Sequence, residues 1–171
     1  MAECPEKTRT GDDGDARCPT PEDLALLEQW DVLQSGMRRL TDQLLDDVET
    51  TTDLAPSSFR ALWFLLTAPE HAAPMNQLAA TLGFTTAGTT KVADRLAEAG
   101  LLERHPSPCD RRVTLARLTE PGLAAAVTAA LTLADALRKR VVGPLGAQSF
   151  ASLVDGVGTV DPTPGARRGC P

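Results

Sequence analysis

The chain of 171 residues contains no tyrosine and no isoleucine, and aromatic residues make up only 4% of it. A core built without them relies on leucine, alanine and valine, and this composition favours helices over sheets. No apolar run approaches the roughly 18 residues that a membrane span needs. The acidic start of the chain also lacks the basic and then apolar pattern of a signal peptide. We therefore expect a soluble, cytoplasmic protein with no membrane partner.

An excess of basic residues is missing as well, since 17 basic residues stand against 23 acidic ones, for a net charge of −6. The charge is unevenly distributed: residues 1–56 carry a net −9, whereas residues 75–118 carry a net +2. Non-specific coating of nucleic acid needs a broad basic field, which this balance excludes. A local polyanion-binding face in the middle of the chain is still compatible with it.

Few residues offer reactive or metal-binding chemistry. The four cysteines are scattered and are expected to be reduced, because neither their spacing nor the chain length resembles a disulfide framework. His105, Cys109 and Asp110 are too few to close a zinc site, so we predict no metal. No nucleophile–base pair, phosphate-binding glycine loop or paired carboxylates stand out, so we predict no enzyme and no cofactor. Basic neighbours of Cys109 leave a thiol-based, redox-responsive regulator as a weaker alternative.

Helical periodicity is present where a core must be built. Residues 1–19 are polar and predicted to be disordered. Thr20 then caps a long amphipathic helix over about residues 20–49. Its apolar face consists of Leu26, Trp30, Leu33, Met37, Leu40, Leu44 and Val48. Ser57 or Ser58 caps the next helix, which ends near Pro69, and the segment PEHAAP is a connector.

Two short helices separated by a glycine-containing turn follow in the middle of the chain. The first covers Met75–Leu82 with Gly83 as its C-cap, and the second covers about Thr86–Ala99. Two short strands, about 101–105 and 113–118, then flank a turn rich in proline and aspartate. A long helix starts after Thr119, a short one lies around 147–157, and residues 158–171 are predicted to be a flexible tail. This order indicates a helix-turn-helix followed by a β-hairpin wing.

The stretch LAATLGFTTAGTTKVADRLAEAGLLERHPSPCDRRVTLARLTEPG resembles the DNA-binding core of the MarR-type transcriptional regulators. Four features in order carry the match: LA-x3-LG, DRL-x3-GLLER, the Asp-Arg-Arg of the wing, and LTEPG. The resemblance implies a mainly α fold with a small two- to three-stranded β-wing. It further implies a winged helix-turn-helix flanked by long dimerisation helices. The domain would span residues 20–157, with a DNA-binding lobe at about 56–118 and dimerisation helices at about 20–49 and 119–157.

The resemblance also implies a homodimeric repressor that binds a pseudo-palindromic operator in double-stranded DNA and is released by a small-molecule effector. Arg112 would enter the minor groove from the wing, with Asp110 supporting it and Arg111 near phosphate. The groove-facing residues of the second short helix would be Thr86, Ala87, Thr90, Lys91 and Arg95. Residues near the family's effector cleft are Trp30, Arg60, Trp63 and His71.

Two residues of the second short helix depart from the family pattern, because Gly88 lies inside the helix and Thr89 occupies a position that is usually apolar. A glycine costs about 1 kcal/mol against alanine in a helix interior. The alternative function is a winged-helix module for dimerisation or protein interaction, with DNA affinity lost to the acidic N-terminal region.

Overall fold

The computed structural model describes residues 18–108, 110 and 112–160. Its helices are α1 (Pro21–Thr52), α2 (Pro56–Leu66), α3 (Met75–Leu82), α4 (Thr86–Glu98), α5 (Glu120–Leu137), α6 (Gly143–Leu145) and α7 (Ala147–Val160). A 3₁₀ turn covers Pro69–His71 and a π-turn covers Arg138–Val142. The strands are β1 (Ala72–Pro74), β2 (Leu102–Pro106) and β3 (Thr114–Leu118). The predicted fold class, mainly α with a small β-wing, is confirmed.

The chain divides into two units, whose boundary lies within α1 between Thr41 and Asp42. In the first unit, Thr20 caps α1 as predicted, since the Asp23 N–H donates to Thr20 Oγ1 at 3.1 Å. The Asp23 carboxylate accepts in return from the Thr20 backbone N–H and hydroxyl, both at 2.8 Å. Large apolar side chains of this unit are nevertheless exposed: Leu24, Leu26, Leu27, Trp30, Val32, Leu33 and Met37.

The second unit has a core centred on α2. Leu62 and Leu65 are fully buried, and the same cluster includes Leu78 of α3 and Leu96 of α4. Ala126 and other small residues of α5 complete it. Because these side chains are small, the α5 backbone lies close to α2, and the helix-turn-helix is held on a rigid base.

The three strands form one antiparallel sheet in the order β1–β3–β2. Leu102 pairs with Leu118 and Arg104 with Ala116, whereas Glu103 pairs with Arg117. Alternation along β3 buries Ala116 and Leu118 and leaves Arg117 on the outer face. Strand β1 is a correction, because it lies in the segment predicted to be a connector and pairs with β3 from Ala72 to Pro74.

Other boundaries differ from the prediction for identifiable reasons. Neither Ser57 nor Ser58 caps α2: the N-cap is Ala55, and Ser58 is buried inside the helix. The helix from Thr119 onwards changes to a π-turn after Leu137, seven residues ahead of Pro144, whose ring cannot continue regular helical bonding.

The predicted tail begins too early, since α7 continues to Val160. Residues 1–17 and 161–171 fall outside the described residues, so the disorder predicted for them stays a prediction. The helical stretch Glu120–Leu145 is long and apolar enough to cross a membrane by length and composition alone. Polar residues such as Thr128 and Asp135 interrupt this stretch, so it is not an unbroken apolar run of about 18 residues. One such helix is weak evidence for a span, and this one contributes Ala126 and Ala129 to the core.

Candidate nucleic-acid interface

The turn between α3 and α4 is built by backbone conformation and a side-chain cap. Gly83 ends α3 with φ at +65°, in the left-handed region that favours glycine. Thr85 is the N-cap of α4, and its Oγ1 accepts a hydrogen bond from the Gly88 N–H at 3.1 Å. The two predicted helices therefore exist, with the second ending one residue earlier than expected, at Glu98.

Helix α4 has one buried face and one exposed face. The buried face, which packs on the α2 core, consists of Thr89, Val92, Ala93 and Leu96. All five residues that the resemblance assigned to DNA contact are exposed: Thr86, Ala87, Thr90, Lys91 and Arg95. The helix therefore offers these side chains to a major groove without removing anything from the core.

The two departures from the family pattern have different physical explanations. Thr89 is only 1% exposed, yet its hydroxyl donates to the Thr85 backbone carbonyl at 3.2 Å, so its polar atom is satisfied inside the core. At Gly88, an added Cβ would lie 3.4 Å from Thr85 Oγ1 and 3.5 Å from Phe84 Cβ, which are ordinary contacts. Nothing in the structure explains the glycine at this position.

Hydrogen bonding within α4 limits what its threonines offer to a base. The Thr90 hydroxyl donates to the Thr86 carbonyl at 2.9 Å. With its proton used inside the helix, Thr90 presents lone pairs and a methyl group to the solvent side. It is therefore suited to accept from the amino groups of adenine or cytosine, or to pack on a thymine methyl.

The positive charges of α4 are available to an anion. Lys91 and Arg95 have no carboxylate partner among the described residues. Asp94, which lies on the same helix, is paired with Arg104 of β2. This ion pair neutralises one acidic group of α4 and connects the helix to the wing.

The wing tip holds one arginine beside one aspartate. Arg112 donates from Nε to Asp110 Oδ1 at 3.2 Å, from Nη2 to Asp110 Oδ2 at 3.3 Å and from its backbone N–H to Oδ1 at 3.0 Å. These hydrogen bonds, the side-chain bond from Arg112 foremost, lower the pKa of Asp110 below its ordinary value. The Arg112 side chain is 91% exposed, so it stays accessible while its direction is fixed. Cys109 and Arg111 fall outside the described residues.

A cleft of about 440 Å³ is lined by residues of the wing, of α4 and of α3. Arg112 lines it together with Thr86 and Thr90 of α4 and with Asn76 of α3. Asn76 was not among the site residues predicted from the sequence. The helix-turn-helix register contains the signal that could have identified it, because the first turn of the first helix faces the same side as the start of the second.

The residues predicted near an effector cleft do not form one group. Arg60 lines a second cleft, of about 430 Å³, with Asp42, Leu45, Asp46, Pro56, Ser57 and Phe84. Trp63 does not line this cleft and is 44% exposed. His71 does not line it either, and its Nδ1 lies 3.1 Å from the Leu66 carbonyl oxygen. Trp30 belongs to the first unit, where it is exposed.

One expectation about reactive side chains is overturned. Cys18 is disulfide-bonded, so the expectation of reduced thiols is wrong for this residue. Among the described residues, no three histidine, cysteine, aspartate or glutamate side chains are grouped so as to hold a metal ion. His105 instead faces Glu103 of its own strand, with Nε2 2.9 Å from Oε1.

Residues 52–113 match the sequence profile of the MarR family. A curated relative, the HTH-type transcriptional regulator MhqR of Bacillus subtilis, is 31% identical over 97 residues. This match covers 57% of the present chain and 65% of the relative, so the chain spans slightly less than two thirds of that protein.

Solved structures are similar over most of the chain. Sco3205, a MarR family transcriptional regulator from Streptomyces coelicolor in complex with DNA, has a TM-score of 0.71 at 23% identity, which shows the fold alone. The similarity covers 86% of this chain and 91% of Sco3205. The transcriptional repressor CouR, bound to a 23-mer DNA duplex, has a TM-score of 0.66 at 26% identity. It covers 75% of this chain and 89% of CouR.

Proposed function

We propose that this chain, whose residues 52–113 match the MarR family profile, belongs to that family and is a homodimeric DNA-binding transcriptional repressor of the cytoplasm. The observation that carries the proposal is the cleft where Arg112 of the wing meets Thr86 and Thr90 of α4. This arrangement presents hydrogen-bonding groups for a major groove and a guanidinium for the adjacent minor groove. The names of the related proteins, all of them transcriptional regulators, support the same function.

In this proposal, α4 is the recognition helix: its exposed side chains determine the sequence preference, and its cations Lys91 and Arg95 contribute affinity. Thr90 offers a single acceptor, unlike the bidentate side chains of arginine or asparagine, so base discrimination through it is modest. Lys91 and Arg95 are free to approach phosphates, since neither has a carboxylate partner in the described part of the chain. Binding must then weaken steeply with salt, because phosphate contacts release counterions.

The decisive experiment is a fluorescence-anisotropy titration of the full chain with duplex DNA from upstream of its own gene. We expect saturable binding that exceeds binding to a scrambled duplex and falls steeply as salt is raised. Absence of binding at low salt would reject the DNA-binding function and leave the protein-interaction module.

The homodimer is proposed from apolar surface that has no partner within either unit. In α1, Trp30 is 59% exposed, and in α7, Val154 and Val157 are 54% and 60% exposed. Apolar surface of this kind usually marks an interaction site. Trp30→Asp should convert the dimer to monomers in light scattering. Val32→Asp on the opposite side of α1 is the matched control and should leave the dimer intact, so a dimeric Trp30→Asp protein would contradict the proposed interface.

Release by an effector is proposed for the cleft lined by Arg60. Its other polar lining residues are Ser57 and the carboxylates of Asp42 and Asp46, and Phe84 contributes an aromatic surface. Benzoate and benzylamine are suitable probes because they share the ring and differ in the sign of the charge. A rise in the thermal midpoint with one of them, abolished by Arg60→Ala or by Asp46→Ala, would identify the charge class that the cleft binds. No response to either probe would count against this cleft.

A further inference from the structure

The first turn of α5 is fastened to the peptide that joins α4 to β2. Thr119 caps α5, and its Oγ1 accepts from the Gly122 N–H at 3.0 Å. The same hydroxyl donates to the Gly100 carbonyl at 2.7 Å, and the Thr119 backbone N–H donates to the Leu101 carbonyl at 3.2 Å. Through its hydroxyl and its backbone N–H, one residue thus makes three hydrogen bonds, one within its own helix and two to the segment that follows α4.

Gly122 makes the approach of the two segments possible. A Cβ at this position would lie 1.8 Å from the Leu101 carbonyl oxygen and 2.8 Å from its carbon. Both are backbone atoms, which cannot rotate away as a side chain could. Any other residue at 122 would therefore force α5 and the Leu101 peptide apart.

Both α4 and the wing connect to this contact. Leu101 lies three residues after the end of α4, and its N–H donates to the Leu96 carbonyl at 2.9 Å. Strand β2 begins at Leu102, and strand β3 ends at Leu118, one residue before Thr119. The recognition helix and both strands of the wing therefore meet α5 at one point.

A second link connects α4 to the wing. Arg104 of β2 forms an ion pair with Asp94 of α4, and the strand pairing from Leu102 to Pro106 continues that link out to the wing. A change in the angle of α5 at Thr119 would thus move α4 and the wing tip together.

We propose that Thr119 and Gly122 are positioning residues, which hold the recognition helix and the wing at the angle to α5 that DNA binding requires. This inference rests on the proposed function. A residue that only stabilised the fold would lower the melting temperature without altering how much Arg112 contributes to binding.

A double-mutant cycle between Thr119→Val and Arg112→Ala separates the two roles. Valine has the shape of threonine but lacks the hydroxyl, so it removes the cap bond and the bond to Gly100. Measured by anisotropy well below the melting temperature, Thr119→Val should weaken DNA binding by about fivefold or more. Arg112→Ala should then cost about threefold less in the Thr119→Val background than in the parent, because the wing is already misplaced.

Matched variants test the specificity of this result. Thr119→Ser keeps both hydroxyl bonds and should bind like the parent. Thr128→Val removes a hydroxyl bond to the Ala124 carbonyl elsewhere in α5 and should also bind like the parent. Additive effects of Thr119→Val and Arg112→Ala would overturn the proposal, as would equal losses for Thr119→Val and Thr128→Val.

Hydrogen exchange makes the test independent of DNA. Thr119→Asp keeps a good helix cap but cannot donate to the Gly100 carbonyl. It should speed amide exchange at the end of α4 and in β2 and β3 together, while exchange in α2 stays as in the parent. Amide exchange that changes only in the first turn of α5, or nowhere, would refute the positioning role of Thr119. If the parent bound no DNA, the proposed function would fail. The exchange result would still decide whether Thr119 couples α5 to the end of α4 and to the wing strands.

Discussion

Replacing Arg112 by alanine tests the wing with the least disturbance to the fold. Its side chain is 91% exposed, and its hydrogen-bond partner is the neighbouring Asp110. An exposed ion pair of this kind contributes little to stability, so the thermal midpoint and the oligomeric state should stay unchanged. DNA binding should change strongly, because the guanidinium would lose its place in a narrow, electronegative minor groove.

The size of the loss follows from the number of wings. A specific arginine contact contributes about 1–3 kcal/mol. A homodimer carries two wings, so Arg112→Ala should cost about 2–6 kcal/mol per bound dimer, and the dissociation constant should rise by about 30-fold or more. Anisotropy titrations at two salt concentrations measure this loss. The slope of the logarithm of the binding constant against the logarithm of salt concentration should also become shallower, by the equivalent of about two phosphate contacts per dimer.

Arg138→Ala is the matched control, since Arg138 is likewise an exposed arginine, 68% accessible, paired with a nearby aspartate, Asp135, at 2.6 Å. It should bind DNA like the parent. Arg112→Lys should fall between parent and alanine, because lysine keeps the charge but loses the planar fork. If Arg112→Ala bound DNA as tightly as the parent, the wing would have no role in recognition and the assignment of Arg112 would be wrong.

Three further predictions concern other parts of the second unit. Lys91→Ala should weaken operator binding and reduce its salt dependence, whereas Lys139→Ala should change neither. If a binding-site selection gave the same base preference and affinity for Lys91→Ala as for the parent, α4 would not be the helix that recognises the bases. Thr89→Val is isosteric at a buried position, so it should shift the free energy of unfolding by less than about 1.5 kcal/mol and leave DNA affinity unchanged. A loss of DNA affinity without a loss of stability would show that Thr89 contacts DNA. The pKa of Asp47 is lowered chiefly by its hydrogen bond with Arg140, so Asp47 should stabilise the fold above its ordinary pKa, and this stabilisation should disappear as pH falls through the lower folded pKa. In urea titrations, the difference in the free energy of unfolding between Asp47→Asn and the parent should therefore narrow only below about pH 4. A difference that varied between pH 6 and 8 would contradict this.

Periodicity and caps identified the elements that carry the DNA-facing surface. The sequence predicted the second short helix at about Thr86–Ala99, and α4 covers Thr86–Glu98. Gly83 predicted the end of α3, where φ is +65°. These signals are local, since each depends on residues within one or two helical turns. Long-range contacts had no such signal.

Strand β1 illustrates what local patterns cannot predict. It has three residues, follows Glu70 and His71 with φ values of +51° and +54°, and exists because β3 offers it a partner. No alternation can be detected over three residues, and neither positive φ belongs to a glycine. Ser58 shows the same limit in a helix: it looks like a cap in sequence, but tertiary packing buries it.

The close approach at Gly122 was equally invisible. The sequence marks this glycine only as part of LTEPG at the start of a helix, where glycine is an unremarkable neighbour of an N-cap. The reason for it is a backbone carbonyl twenty-one positions earlier in the chain, at Leu101. A requirement imposed by a distant backbone atom has no signature in the residues that surround the glycine.

The division of α4 into two faces has a consequence for how such proteins diversify. Thr86, Ala87, Thr90 and Lys91 are exposed and pack against nothing in the core, so they can be exchanged with little effect on folding. Under the proposed function, base preference could therefore drift by single substitutions after a gene duplication, with each intermediate still folded. Thr89 and its buried neighbours do not have this freedom. Stability and, in this proposal, target choice thus depend on separate residues of one thirteen-residue helix.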